Sequence, residues 1–210
     1  MSKLGSAALV AIAACGLVPT VREVEPGAYE LPGGRCDVEL PAGWRHERTN
    51  DCVTVVCDHE LLSQLMVYAR LRWRAFPTTG KEAREDMGSA ELAERALEET
   101  RALARKEGIR DVEVLENRPI EVAGRPGFLL HLRIENSSGL PHDHLQAGFV
   151  QADRYYCIWF RAPRIHYFER DRWAFDRAVE TVRVRSQSKI PTIRGESLGS
   201  CSGSVPISAP

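Results

Sequence analysis

The sequence predicts an α+β fold, a central and mainly antiparallel sheet with helices on both faces, from three observations. Short segments that are rich in β-branched residues or alternate in polarity recur along the chain, which marks half-buried strands. Two stretches with a helical apolar period stand among them, one before and one after a run of consecutive strand patterns. Within that run, residues 155–160 are apolar on both faces, Tyr155, Cys157 and Trp159 against Tyr156, Ile158 and Phe160, so this strand needs cover on both sides. At 210 residues the chain holds one domain with a proper core.

In chain order, the first strand of the domain is expected at 36–40, where Cys36, Val38 and Leu40 alternate with Asp37 and Glu39. Pro41-Ala42-Gly43-Trp44 breaks it, and 51–57 is β-branched and strand-like. Antiparallel pairing of the two across 41–50 sets Leu40 opposite Val53, Val38 opposite Val55 and Cys36 opposite Cys57. Segment 62–73 reads as a third strand with Leu65, Val67, Ala69 and Leu71 facing in. Helix is the competing reading there, disfavoured by Val67, Tyr68 and Trp73 and by Pro77 and Gly80 soon after.

Segment 75–88 reads as a polar loop. Ser89 has the character of an N-cap for a helix through Glu107, with Glu91 and Glu94 early, Arg105 and Lys106 late and Gly108 just beyond. Its stripe, Leu92, Ala96, Leu103 and Ala104, is narrow and rich in alanine, so this helix covers a sheet from outside. Segments 111–115 and 119–122 lead through a turn at 123–127 into 128–134, a hairpin pattern. After a turn at 136–141, strands at 145–151 and 154–162 complete an antiparallel meander. A second helix over 170–182 carries Phe175, Ala178, Val179 and Val182 on one stripe, and 183–184 closes the sheet. The tail from 186 is rich in Ser, Gly and Pro without an apolar period and reads as disordered.

The start of the chain predicts an address. Lys3 precedes a short apolar run, 4–14, that ends in small residues, the layout of an export signal. About eleven helical residues reach roughly 16 Å, half of a ~30 Å hydrocarbon core, so the run is too short to span a membrane. Ile12-Ala13-Ala14-Cys15 resembles the lipobox of bacterial lipoproteins, in which the cysteine is diacylated and becomes the new N-terminus. The resemblance implies a signal peptide at 1–14, a lipidated tether at 15–34, a domain at 35–187 and the disordered tail at 188–210. Two or three acyl chains on Cys15, palmitate among them, give stable membrane anchoring where one is marginal. Gly16 stands where an Asp favours retention in the inner membrane, so the outer membrane is expected where the cell has one.

Strands, a helix, a meander, a helix and a short last strand, in that order, resemble the PsbP-like fold, the α/β/α sandwich of the extrinsic photosystem II protein and of many small bacterial lipoproteins. Three stretches carry the resemblance: Leu40-Pro41-Ala42-Gly43-Trp44, the hairpin Ile120-Glu121-Val122-Ala123-Gly124-Arg125-Pro126-Gly127-Phe128, and 155–163 before a helix with aromatic residues. It covers 36–184 and is architectural. It implies a non-catalytic binding or assembly module of the cell envelope, with an envelope protein or a small ligand as partner besides the membrane. No catalytic residue and no cofactor carries over, because the family has no common catalytic set.

Formal net charge is −1, and loss of Lys3 with the signal takes the mature chain to −2, so no global field favours nucleic acid. The late arginines, among them Arg161, Arg170, Arg172 and Arg177, alternate with Glu169, Asp171, Asp176 and Glu180 as on a solvated helix face. Six cysteines in an exported chain favour disulfides, and the register above makes Cys36 and Cys57 the candidate pair, against the reading of both as buried free thiols. Zinc at Cys52, Cys57 and His59 is disfavoured, since alternation separates the two thiols. His142 and His144, two apart, project to one side of an extended segment and carry the alternative function, a metal-dependent or hydrolytic envelope enzyme, although a third ligand is missing and a polar loop is the simpler reading. Gly199-Ser200-Cys201-Ser202-Gly203 lacks the strand and helix of a nucleophile elbow. Trp44, Trp73, Trp159, Trp173, Tyr155 and Tyr156 supply either a core or the lining of a ligand groove.

Overall fold

The computed structural model describes residues 22–31, 36–48, 52–57, 62–109, 111–135 and 139–185. The signal segment, Cys15, His59, Cys201 and the tail lie outside the described residues. The α+β fold is as expected. An eight-stranded antiparallel sheet carries one helix on each face, and a three-stranded sheet stands beside it.

The strands are β1 (Arg22–Glu23), β2 (Ala28–Glu30), β3 (Cys36–Glu39), β4 (Arg45–Arg48), β5 (Cys52–Cys57), β6 (Ser63–Leu71), β7 (Val112–Val122), β8 (Arg125–Glu135), β9 (Pro141–Gln151), β10 (Arg154–Pro163) and β11 (Arg183–Val184). The helices are α1 (Ser89–Lys106) and α2 (Tyr167–Thr181). The large sheet runs β1-β4-β5-β6-β10-β9-β8-β7, and the small one runs β11-β3-β2. Central β10 pairs with β6 on one side and β9 on the other, Cys157 facing Tyr68 and Gly148 across the ladders. Its alternate residues enter two cores. Tyr156, Ile158 and Phe160 pack with Phe168, Phe175 and Ala178 of α2. Tyr155 and Cys157 pack with Leu92, Ala93 and Leu97 of α1. Both faces are covered because both are apolar.

Several expectations are corrected. β3 does not pair with β5. Cys36 stands opposite Val184 in the small sheet, and Cys57 stands opposite Ser63 in the large one. Cys36 is a free, fully buried thiol, so the register that suggested a Cys36 to Cys57 disulfide is not formed. The misreading came from omitting β4, which occupies 45–48 within the supposed loop and takes the place beside β5. β11 likewise extends the small sheet and does not close the large one. Residues 22–31, expected in the tether, contribute β1 and β2, and Val24 and Leu31 are buried in the core.

The helical expectations shift by small steps. Gly88 holds the N-cap position of α1 without a side-chain cap, and Ser89 is already helical. Ala93 and Leu97 are buried on α1 whereas Leu103 is 48% exposed, a stripe turned toward β7, β8 and β9. The loop before α1 is less polar than expected, since Ala75, Phe76 and Ala83 are buried. β7 runs unbroken through 116–118, with a bulge between Val114 and Glu116 absorbing the irregularity that looked like a gap. As the edge strand it also tolerates Pro119. The hairpin turns on Ala123 and Gly124, at φ 53° and 71°, the two left-handed positions of a tight primed turn.

A cleft between the first helix and the sheet

α1 is too narrow to cover the whole of its sheet face. It lies over β7, β8 and β9, and the neighbouring half formed by β10 and β6 is left with a cleft of about 530 Å³. Alternation decides what lines it. Tyr155, Trp159 and Arg161 of β10, Met66, Tyr68 and Arg70 of β6, and His142, His144 and Gln146 of β9 all point to this face. Their odd or even neighbours, such as Leu65, Val67, Leu145 and Phe160, face α2. Glu99, Thr100 and Leu103 form the wall on the α1 side.

Glu99 and the one amide side chain of the cleft, Gln146, are engaged within the protein. Glu99 accepts hydrogen bonds from the Thr78 and Thr79 amides at 2.7 and 2.8 Å and from Thr79 Oγ1 at 3.0 Å. Gln146 Nε2 donates to Thr100 Oγ1 at 2.9 Å, and that hydroxyl donates to the Ala96 carbonyl at 3.0 Å. The arginines are held differently. Arg70 lies 4.3 Å from the Tyr68 ring and Arg161 5.4 Å from the Trp159 ring. Arg161 Nε donates to Gln64 Oε1 at 2.8 Å, and neither guanidinium has a carboxylate within ion-pair distance among the described residues.

The two histidines are on one strand, not in a loop, and they share a face as their spacing predicts. His142 Nδ1 lies 3.2 Å from the Leu140 carbonyl, to which it donates when protonated there. His144 is buried, its ring edge-on to Trp159 at 5.3 Å, and its Nδ1 has no partner. Burial above all, with Arg161, His142 and His131 adding to it, pushes the His144 pKa down to about 3, and burial lowers that of His142 as well. Both rings are therefore neutral near pH 7. Asp143 between them points to the opposite face and pairs with Arg133. Among the described residues no three His, Cys, Asp or Glu side chains gather to hold a metal ion. The cleft can present aromatic surface, neutral imidazole and guanidinium donors.

Of the six aromatics singled out by the sequence, Tyr155 and Trp159 line the cleft. Trp44 meets Trp173 of α2 edge-on at 6.3 Å, Tyr156 stacks on Phe149 at 5.0 Å in the core, and Trp73 is 63% exposed. Sequence reasoning missed Arg161, Arg70, Tyr68 and Gln146. Strand alternation carried the signal, since Arg161 follows Cys157 and Trp159 at spacings of two. The other late arginines do pair with acids along α2, Arg172 with Asp176 at 3.7 Å and Arg177 with Glu180 at 3.8 Å. Among the described residues no helix is long and apolar enough to cross a membrane.

The fold is shared with solved proteins. The cyanobacterial PsbP of Synechocystis sp. PCC 6803 superposes with a TM-score of 0.58 at 14% identity, over 83% of this chain and 99% of that one. The Ran-binding protein Mog1p of Saccharomyces cerevisiae gives 0.52 at 13%, over 77% and 96%. These likenesses show the PsbP-like and Mog1-like fold alone. No protein-family model and no curated protein matches the sequence.

Proposed function

We propose that the chain is a non-catalytic binding or assembly module of the cell envelope, anchored by acyl chains on Cys15, with the cleft between α1 and the sheet as its contact site. The observation that carries the reading is the cleft that α1 leaves over β10 and β6. Aromatic rings and guanidinium groups without a carboxylate partner among the described residues line it, where a finished core would be dry and apolar. Support for a binding role comes from the fold, since the yeast neighbour is a Ran-binding protein. Support for the anchor comes from the lipobox-like Ile12-Ala13-Ala14-Cys15, with Gly16 favouring the outer membrane where one exists.

Two experiments test the two halves. Metabolic acyl labelling should tag the wild type and be lost in Cys15→Ser, with globomycin blocking processing; unlabelled, freely secreted wild-type protein overturns the anchor. A photo-reactive residue in place of Leu103, at the rim of the cleft, should cross-link a defined envelope component in intact cells. The same probe at Trp173, 51% exposed on α2 across the sheet, should not. Equal capture from both positions overturns the cleft as the contact site.

A further inference from the structure

Building on the cleft as the contact site, we infer that it takes a small amphiphilic monocarboxylate, its acid group on the Arg161 guanidinium and its apolar body along Trp159, Met66 and Leu103.

Arg161 sits on central strand β10 with its side chain half-buried between the sheet and the C-terminal part of α1. Its Nε is committed to Gln64 Oε1 at 2.8 Å and its plane is steadied by Trp159 at 5.4 Å. Those two contacts fix the direction of the fork. The two Nη nitrogens have no partner among the described residues. A guanidinium so placed has lost part of its water while its two Nη groups gain no acceptor among the described residues, and burial lowers its pKa, with Glu107 only partly countering this. The two Nη groups match a planar carboxylate, which accepts two parallel hydrogen bonds.

The remaining charges of the cleft limit the ligand to one negative charge. Glu99 accepts from Thr78 and Thr79, Glu107 stands at the C-terminal end of α1 near enough to act on Arg161, and burial lowers the pKa values of His142 and His144 so that both rings are neutral. Arg70, the other cation, lies at the far end of β6. Arg161 stands opposite Gln64 and Arg70 opposite Tyr155 across the ladder, so the Cα positions of the two arginines lie about six residues of strand apart, on the order of 20 Å. One acid group therefore meets one cation. Beside Arg161 the cleft face carries the His144 ring, its register partner on β9, and an apolar strip along β10 and β6. Trp159 and Met66 form the floor, and Leu103, 48% exposed on α1, forms the rim. A cavity of about 530 Å³ lies in the range of small-molecule sites.

Isothermal titration calorimetry with decanoate, 1-decanol and decyl phosphate tests this on the full chain, with Arg161→Gln, Arg161→Lys and Leu103→Trp as variants. Decanoate should bind at least about tenfold more tightly than decanol, the scale of one charge-assisted hydrogen bond. Arg161→Gln should abolish that difference without weakening decanol binding, and Arg161→Lys should retain part of it. Leu103→Trp, a change at the partly exposed rim that leaves the core intact, should block both ligands. Equal binding of decanoate and decanol, or an unchanged preference in a folded Arg161→Gln, overturns the monocarboxylate while the cleft stands. Tighter binding of decyl phosphate overturns it in favour of a phosphate. No binding of any probe overturns the inference, and the separate Leu103 cross-link then decides whether the cleft still meets a macromolecule.

Discussion

Arg133 grips Asp143 through two parallel hydrogen bonds, Nε to Oδ1 at 2.8 Å and Nη2 to Oδ2 at 3.1 Å, on the sheet face opposite the two histidines that flank Asp143 in sequence. Asp143 is only 4% exposed, and His131 Nε2 lies 3.5 Å from its Oδ2. Replacing the arginine leaves a buried carboxylate without its fork. Arg133→Met should cost roughly 2–4 kcal/mol of unfolding free energy, and Asp143→Asn in the same chain should recover part of the loss. Urea denaturation of the two single variants and the double variant measures it. Additive losses would show that the pair does not act as a unit.

Gly148 is required by a close approach. A Cβ there would stand 2.7 Å from Phe128 Cε1 and 2.9 Å from Tyr155 Oη, both on fully buried rings that have no room to retreat. Gly148→Ala should destabilise the fold by about 1–3 kcal/mol through overpacking. A thermal midpoint equal to that of the wild type would mean that the rings yield.

His144 makes the fold sensitive to acid. Its pKa falls from 6.5 to about 3 on folding, chiefly through burial, so in that window the unfolded chain holds a proton that the folded chain lacks. Stability therefore rises with pH across the window and is lost on acidification, by about 1.4 kcal/mol per pH unit for this one group. His142 and His131 shift in the same direction, so the wild-type slope has more than one source. His144→Gln should flatten the stability curve between pH 7 and pH 5. An unaltered slope would mean that His144 titrates normally in the folded protein.

The Cys36 thiol is pushed up to about 12, by burial first and Asp37 next. It should resist iodoacetamide in the native protein and react fully once unfolded, since the thiolate is the nucleophile. Peptide mapping without reduction checks both points. A Cys36 to Cys57 cross-link recovered there would contradict the separate sheets in which the two residues lie.

The local patterns of this chain were enough to place most of its elements. Alternation at Leu65, Val67 and Ala69 marked β6, the two-faced apolar run at 155–160 marked the central strand, and the requirement for cover on both faces followed from it. Periodicity reads burial one element at a time, which is why α1, α2 and the meander were legible. Partner choice is different. Whether β3 pairs with β5 depends on what else competes for the same edge, and the short polar strand β4, Arg45–Arg48, carries no apolar signal of its own. Only the assembled sheet decided that Cys36 faces Val184 and that Cys57 faces Ser63.

The cleft shows the same division. Spacing by two put His142 and His144 on one face from sequence alone, whereas Arg161, which the same spacing sets on the face of Trp159, carries the charge pattern of a solvated helix face yet lies on β10. Which half of that face α1 would cover was beyond local reading, because it depends on how Ala93 and Leu97 seat the helix over β7, β8 and β9. Chain chemistry determined which side chains point together. Long-range packing decided which of them stayed buried and which were left lining an open cleft, since that choice is made by the competition of distant segments for the same apolar surface.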